Sequence, residues 1–370
     1  MGLRVGLNAA FLENPLTGSG QYLFQLHAAL ARLGNGRTYR LLAPRRGQGD
    51  RACVPSWLPG KQLRKLYLEQ VGVPVGGRQE GCNVLHYPYF AAPLLSPAPV
   101  VVTVHDVIPL LLPEYRGSSL VRAYSALAAA ATRRAAYVVC DSACSQRDAV
   151  RLLGVPVQRT RVVYLAATPG LAPASREEAA AARRRFGLGE RFFFYIGGLD
   201  ARKNLGVLLE AFARLVAKHP EAELAIAGTA PSTSALFPDW TGQVRRLGLE
   251  RQVRFLGRLG EADKNVLYSA ALAFVYPSLY EGFGLPPLEA MACGAPVACA
   301  DGSSLPEVTG EAALLLPPRD VAAWDEALGR LWEDEGLRRE LRQRGPEQAS
   351  HFSWDETARQ TAEVYECACS

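Results

Sequence analysis

Short apolar, β-branched runs alternating with longer amphipathic stretches constrain this 370-residue chain more than any other feature, because that alternation is the pattern of parallel strands joined by crossover helices. The fold class is therefore α/β. In the first half the strands read Arg4 to Leu7, Tyr39 to Ala43, Val84 to His86, Val100 to Thr103, Tyr137 to Cys140 and Arg161 to Tyr164, with helices at Gln21 to Leu33 and Ser119 to Arg134. After a stretch rich in Pro, Ala and Arg the series begins again, with strands at Phe192 to Ile196, Glu223 to Ala227, Val253 to Leu256, Leu272 to Tyr276, Pro296 to Cys299 and Ala313 to Leu316. Two doubly wound domains are the economical architecture. A length of 370 residues at roughly 150 per domain agrees with two, and a hydrophobic fraction of 49% suffices for two cores.

The expected boundaries are residues 1–167 for the first domain, 168–190 for a linker and lead-in helix, and 191–351 for the second domain. The helix after the first strand of the second series is the best defined, since Leu205, Leu208, Leu209, Phe212, Leu215 and Val216 line one face. Asn204 is placed to cap it. The segment Phe352 to Tyr365 is amphipathic and follows Gly345 and Pro346, so a helix over 352–370 is expected to leave the second domain and return to the first.

Charge and cysteine usage exclude several classes. Lys and Arg exceed Asp and Glu by 41 − 36 = 5, too small an excess to imply nucleic acid. The start, MGLRVGLN, lacks the basic, apolar and small-residue regions of a secretory leader. The longest stretch without a formal charge, Gly81 to Val104, is interrupted by Pro88, Pro93, Pro97 and Pro99, which argues against a membrane span. Eight scattered cysteines form no C-x-x-C pair, and reduced thiols in the cytoplasm are the expectation. Cys140 and Cys144 could face each other on a helix, but a metal would need two further ligands nearby. No metal and no cofactor are expected.

In open α/β sheets ligands sit beyond the carboxyl ends of the strands, so the loops there carry the functional signal. Thr17-Gly18-Ser19-Gly20 precedes a helix, and its glycines allow either close approach to an anion or simply a flexible turn. It is not the G-x-G-x-x-G dinucleotide fingerprint. Gly197 to Asn204 reads GGLDARKN and sets Arg202 and Lys203 at the mouth of a helix whose dipole they oppose. An anionic ligand accounts for that placement, with a solvated basic loop as the alternative. Pro277 to Val297 reads PSLYEGFGLPPLEAMACGAPV, in which Glu281 and Glu289 flank a Gly-rich loop and Pro286 or Pro287 opens a helix. Backbone amides there suit a phosphate and the carboxylates suit sugar hydroxyls, unless the acids only complement the helix dipole.

Together these strings resemble the retaining glycosyltransferases of family 4, of GT-B fold, over nearly the whole chain. The resemblance is carried by Glu281 and Glu289 around GFGLP, the GG-x3-RKN loop, VTVHD at Val102 to Asp106 and the Gly18 to Gly20 loop. LHYP at Leu85, LPEY at Leu112, SLPEV at Ser304 and FSWDETA at Phe352 add to it. It implies two Rossmann-like doubly wound domains facing each other across a cleft, the first binding acceptor and the second the nucleotide sugar. By position, Glu289 resembles the glutamate on the ribose hydroxyls, Glu281 the one on the donor sugar, and Lys203 the diphosphate cation. The backbone of Phe283, Gly284 and Leu285 would hold sugar and diphosphate. His105 resembles the histidine against the transferred sugar, and Arg258, in the loop Gly257-Arg258-Leu259, lies where the nucleobase packs. Many members carry an arginine five residues before the lysine; Gly198 stands there instead, and Arg202 is the candidate substitute.

The implied reaction is metal-independent hexosyl transfer with retention, from a nucleotide sugar to a hydroxyl of a glycan, lipid-linked or small-molecule acceptor. GDP-mannose is the first choice of donor and a UDP-sugar the second. A catalytically silent sugar-nucleotide-binding protein is the alternative, motivated by Gly198. The segment Arg37 to Arg78 carries Arg37, Arg40, Arg45, Arg46, Arg51, Lys61, Arg64, Lys65 and Arg78 against Asp50 and Glu69. It reads as peripheral contact with an anionic membrane, recognition of an anionic acceptor, or a solvated basic face.

Overall fold

A computed structural model describes residues 2–12, 17–34, 36–43, 54–55, 57–229 and 233–370. Arg45, Arg46, Asp50, Arg51 and Cys53 lie outside the described residues. Two compact units result, one of Met1–Leu165 with Ser353–Ser370, the other of Ala166–Phe352.

Each unit is built on a six-stranded parallel sheet. In the first, β1 (Arg4–Asn8), β2 (Thr38–Leu42), β3 (Val84–Tyr87), β4 (Val100–Val104), β5 (Tyr137–Cys140) and β6 (Thr160–Val162) take the order 2-1-3-4-5-6. In the second, β7 (Phe192–Ile196), β8 (Glu223–Ala227), β9 (Val253–Gly257), β10 (Ala273–Tyr276), β11 (Val297–Ala300) and β12 (Ala313–Leu316) run 12-11-10-7-8-9. Helices cover such sheets on both faces, so the inner strands are apolar throughout rather than alternating. Val100–Val104 and Val297–Ala300 are buried at every residue, and Phe192, Phe193, Phe194 and Tyr195 are fully buried in the middle of the second sheet.

Strand order fixes where ligands can bind. In the first sheet the direction of winding reverses between β1 and β3, and in the second between β7 and β10. Crossovers leave opposite faces on the two sides of such a reversal and open a crevice at the carboxyl ends. The loops after β7 and β10 are Gly197–Asn204 and Pro277–Gly284.

The terminal helix Trp354–Cys369 belongs to the first unit. Thr357 Oγ1 donates to the carbonyl of Tyr164 at 2.7 Å, and Arg32 pairs with Asp355 at 2.7 Å. In the interior, His86 Nδ1 lies 2.7 Å from the Tyr365 hydroxyl and its Nε2 2.8 Å from Thr103 Oγ1. Burial, with the nearby charge of His105, pushes His86 down to about 3, so its ring is neutral and both contacts are ordinary hydrogen bonds.

Local expectations needed correction at several points. The helix Glu335–Ser350 runs through Gly345 and Pro346, and the terminal helix follows it. A Cβ at Gly345 would stand 3.4 Å from the Met291 backbone, so glycine lets the helix seat closely there. Gly18, Ser19 and Gly20 are the first turn of the helix Gly18–Arg32 rather than a loop before it, because Thr17 Oγ1 accepts from the amide of Gly20 and closes that turn. Cys140 ends β5 while Cys144 lies on the helix Ala143–Asp148, so the two do not share a helix. Residues 168–190 lie in the second unit, where Ala172 and Ala174 donate to Asn265 and Ser269. Among the described residues no helix is long and apolar enough to cross a membrane.

Candidate active site

The loops after β7 and β10 bring two cations and two carboxylates together. Tyr195, at the end of β7, donates to the carbonyl of Gly198 at 2.6 Å and stacks on Tyr276, which ends β10, at 5.8 Å. The chain then makes a 3-10 turn over Ala201–Lys203 before the helix Leu205–Lys218 starts. Asn204 sits at the junction with a positive φ of 59° but does not cap with its side chain. Its Nδ2 donates instead to the carbonyls of Pro277 and Pro318, at 3.0 and 2.5 Å, which ties the β7 loop to the β10 loop. The expected capping role is corrected on that ground: two carbonyl acceptors reach the amide, and a left-handed residue aims it at them.

Lys203 is 6% exposed, so it is no solvated cation. Its Nζ donates to Glu281 Oε1 at 2.5 Å and to the Tyr276 hydroxyl at 2.8 Å, and that hydroxyl donates to the same carboxylate oxygen at 2.9 Å. Arg202 shares Glu281 at 3.1 Å, reaches Asp200 at 3.5 Å and donates to the carbonyl of Tyr280 at 2.5 Å. Burial works to raise the Glu281 carboxyl, but Lys203 and Arg202 outweigh it and hold the group down at about 2. Burial, reinforced by the charge of Arg202, lowers the Lys203 ammonium against the pull of Glu281. Gly198 has a local cause too: a Cβ there would stand 2.7 Å from Asp200 Oδ2, so the carboxylate fills the space a side chain would need.

The stretch from Glu281 to Leu285 is held from outside. Ser303 Oγ accepts from the amide of Glu281 at 2.9 Å, and Ser304 Oγ contacts the carbonyls of Glu281 and Phe283 at 2.9 and 2.5 Å. Gly284, at φ 116°, precedes the helix Leu285–Ala292, and a Cβ on it would meet Leu305 at 2.8 Å. Pro286 and Pro287 carry no amide hydrogen, so Gly284 and Leu285 supply the donors at this helix start. The Phe283 ring is buried against Phe352 at 5.8 Å.

Glu289 lies one turn into that helix and is 5% exposed. It belongs to a second polar group, accepting from Thr168 Oγ1 at 2.7 Å and the Tyr268 hydroxyl at 3.3 Å, with Lys264 3.7 Å away. Burial raises its carboxyl against the pull of Lys264 and Thr168. Arg258 follows β9 at the sheet edge, two strands from β7.

In the first unit His105 follows β4, with Nδ1 2.6 Å from Asp141 Oδ2 and Nε2 3.2 Å from the carbonyl of Pro88. Both nitrogens face acceptors, so the doubly protonated ring satisfies both. Burial opposes the charge, yet Asp141, Asp106 and the Pro88 carbonyl outweigh it and raise the group. Tyr22 packs edge-on against the ring at 4.8 Å, and Ser145 donates to the His105 carbonyl at 2.7 Å.

Sequence reasoning missed Tyr276, Asp200, Asp141, Thr168 and the Ser303-Ser304 pair. Of these, Ser304 opens the SLPEV string with Ser303 beside it, and Asp200 lies within GGLDARKN, so only these had a signal. In the basic segment, Arg37 pairs with Glu366, Arg40 with Glu80 and Lys65 with Glu69, so these three cations are internally balanced. Among the described residues no group of three or more His, Cys, Asp or Glu is gathered as a metal site would require.

Known proteins are similar to this chain in sequence and in fold. The family model for Glycosyl transferases group 1 matches residues 177–348, and that for Glycosyltransferase Family 4 matches residues 16–167. The O-antigen chain mannosyltransferase B of Escherichia coli is 34% identical over 272 residues, 72% of this chain and 69% of that protein. The serotype-specific mannosyltransferase WbdA of Escherichia coli is 31% identical over 270 residues, 71% of this chain but only 32% of its own length, so the chain spans about a third of that relative. Sucrose-phosphate synthase from Thermosynechococcus elongatus superposes with a TM-score of 0.76 at 23% identity, covering 98% of both chains. Anabaena HepE, solved with UDP and glucose, gives 0.71 at 19% identity over 99% of this chain and 100% of that one. These two likenesses show the GT-B fold.

The pair of loops has a consequence for stability. Glu281 has its carboxyl lowered in the folded state, so its contribution is complete above the ordinary 4.5 and drains away as pH falls toward about 2. Urea unfolding followed by tryptophan fluorescence should show E281Q less stable by about 3–5 kcal/mol at pH 7, because buried Lys203 loses its counter-charge and partly buried Arg202 keeps only Asp200. The gap between E281Q and the parent protein should close between pH 4.5 and 2. A constant gap across that range would refute the pairing.

Proposed function

Since the chain belongs to the family 4, group 1 glycosyltransferases, we propose that it transfers a hexosyl group, mannosyl first among candidates, from a nucleotide sugar to a hydroxyl of a glycan or lipid-linked acceptor, with retention at the anomeric carbon. The observation that carries this reading is the cluster of buried Lys203 with partly buried Arg202 and Glu281 at the β7/β10 reversal. Cleaving the anomeric C–O bond leaves negative charge on the departing diphosphate while the sugar becomes oxocarbenium-like. Lys203, Arg202 and the amides of Gly284 and Leu285 are positioned before the reaction to receive that charge, and preorganisation is what lowers the barrier. In this reading Glu281 turns from the cations to donor-sugar hydroxyls, and the diphosphate takes over the neutralisation. Glu289 turns from Thr168 to the ribose. His105, held by Asp141, is assigned a contact with the transferred sugar.

GDP-mannose is the first donor we infer, supported by the mannosyltransferase relatives, and a UDP-sugar the second, supported by the sugar nucleotide chemistry named for HepE. Retention follows if a donor phosphate oxygen takes the proton of the attacking hydroxyl on the face the diphosphate leaves. The group receiving charge in this scheme is a side-chain cation, so turnover is expected to persist in EDTA.

Three measurements decide these points. Lys203→Ala should lower turnover in EDTA by about 10²- to 10³-fold with the fold intact by circular dichroism, and an unchanged rate would remove Lys203 from the reaction. Anomeric proton NMR of the first product should give the donor's configuration; inversion would overturn the front-face scheme. In a thermal-shift screen of sugar nucleotides, a donor at 100 times its Kd should add about 2.7 kcal/mol of stability. GDP-mannose is expected to give the largest shift, and a larger one from a UDP-sugar would move the assignment to the second choice.

A further inference from the structure

A line of buried hydrogen-bonding side chains crosses the interior of the first unit from the terminal helix toward His105. Tyr365, on that helix, places its hydroxyl 2.7 Å from His86 Nδ1; His86 Nε2 lies 2.8 Å from Thr103 Oγ1, and the same oxygen is 3.0 Å from the Tyr22 hydroxyl. The four residues come from the terminal helix, β3, β4 and the helix Gly18–Arg32. Tyr22 is 2% exposed and the other three are fully buried. Every contact has a proton to fill it. His86 is neutral, so one of its nitrogens donates while the other accepts, and burial pushes both phenols up and keeps them protonated. Such a line holds its members in one arrangement, because a rotation at any of them strands a donor or acceptor away from water.

The last member meets the histidine. Tyr22 stands edge-on to the His105 ring at 4.8 Å, and Trp354, also from the terminal helix, lies 6.2 Å from Tyr22. Asp141 and the Pro88 carbonyl hold the two nitrogens of His105. Two anchors define an axis about which a flat ring can still rock, and only a group against its side limits that motion. Tyr22 is such a group. The tilt matters, because Asp141 Oδ1 is buried with no hydrogen-bond partner among the described residues, so the carboxylate depends on the single bond from Oδ2 to His105.

We propose that Tyr22 is a positioning residue for His105, and that the line Tyr365–His86–Thr103–Tyr22 lets the seating of the terminal helix set the tilt of that imidazole. His86 and Thr103 are fully buried and act only through Tyr22. The kinetic side of this inference rests on the contact with the transferred sugar assigned to His105 under the proposed transfer.

Proton–carbon NMR of the full chain, carrying carbon-13 at histidine Cε1 and with H105Q to assign the signal, reads the ring directly. Tyr22→Phe, Tyr365→Phe and Thr103→Val each remove one hydroxyl of the line, and T103V serves if a phenylalanine variant fails to fold. Asp141 and Asp106 face His105 together with Tyr22 and neutral His86, so a ring that tilts off Asp141 loses much of what raises it. Its titration midpoint should therefore fall toward the ordinary 6.5 in every variant. That includes Y365F, whose missing hydroxyl stands three hydrogen bonds from Tyr22. With donor turnover as the second readout, kcat should drop about tenfold while the donor KM changes by less than about twofold. An unmoved His105 signal in folded Y22F and Y365F would overturn the proposal, and so would a moved signal with unchanged kcat. Absence of donor turnover in the parent protein would defeat the transferase reading alone, since the histidine signal decides the positioning without it.

Discussion

Two buried cations cannot stay in a protein interior unless something opposes their charge, because removing an ion from water costs several kcal/mol that only a close, hydrogen-bonded counter-ion offsets. At the carboxyl end of the second sheet Glu281 and Asp200 supply that opposition to Lys203 and Arg202. Much of the local structure follows from it. Gly198 leaves room for Asp200, Asn204 adopts a left-handed conformation to join the two loops, and the serines at 303 and 304 hold the backbone that presents Glu281. In the proposed reaction a cluster balanced in this way would exchange one anion for another without exposing a bare charge, which is the demand a diphosphate leaving group makes.

The two sheets solve the placement problem by the same rule. Each reverses its winding once, and at each reversal the strand ends and the loops after them carry polar side chains. In the second unit the loops after β7 and β10 hold the charged cluster. In the first, the ends of β1 and β3 hold Asn8 and Tyr89, with Glu69 and Lys65 brought in from a helix distorted by a π turn. Both arrangements stack aromatic rings beside a lysine: Tyr276 lies 5.1 Å from Lys203, as the rings of Phe11, Tyr89 and Tyr124 lie around Lys65. The contrast is in exposure. Lys203 is closed in by its own protein, while the side chain of Lys65 is 41% exposed.

The strands and the strongly amphipathic helices were legible because they are written in neighbours. Phe192–Ile196, Glu223–Ala227 and Ala313–Leu316 have the bounds their apolar runs predict. The GGLDARKN and SLYEGFGLP strings likewise announced charged loops at strand ends. Gly345 took its meaning from a distant residue, Met291, more than fifty positions away. So did Asn204, whose side chain was claimed by the carbonyls of Pro277 and Pro318 rather than by its own helix.

By itself, then, the sequence determined the α/β class, the repeated strand–helix series and the residues that line the loop after each strand, since period and residue type act over a few positions. Only the tertiary structure decided that Lys203 meets Glu281 across 78 positions, that Tyr276 joins them, and that Glu69 gathers tyrosines from the end of β3 and from the helix Ser119–Thr132. Those choices depend on which strands lie side by side. That order is set by the burial of whole sheet faces, a sum over the chain that no local pattern contains.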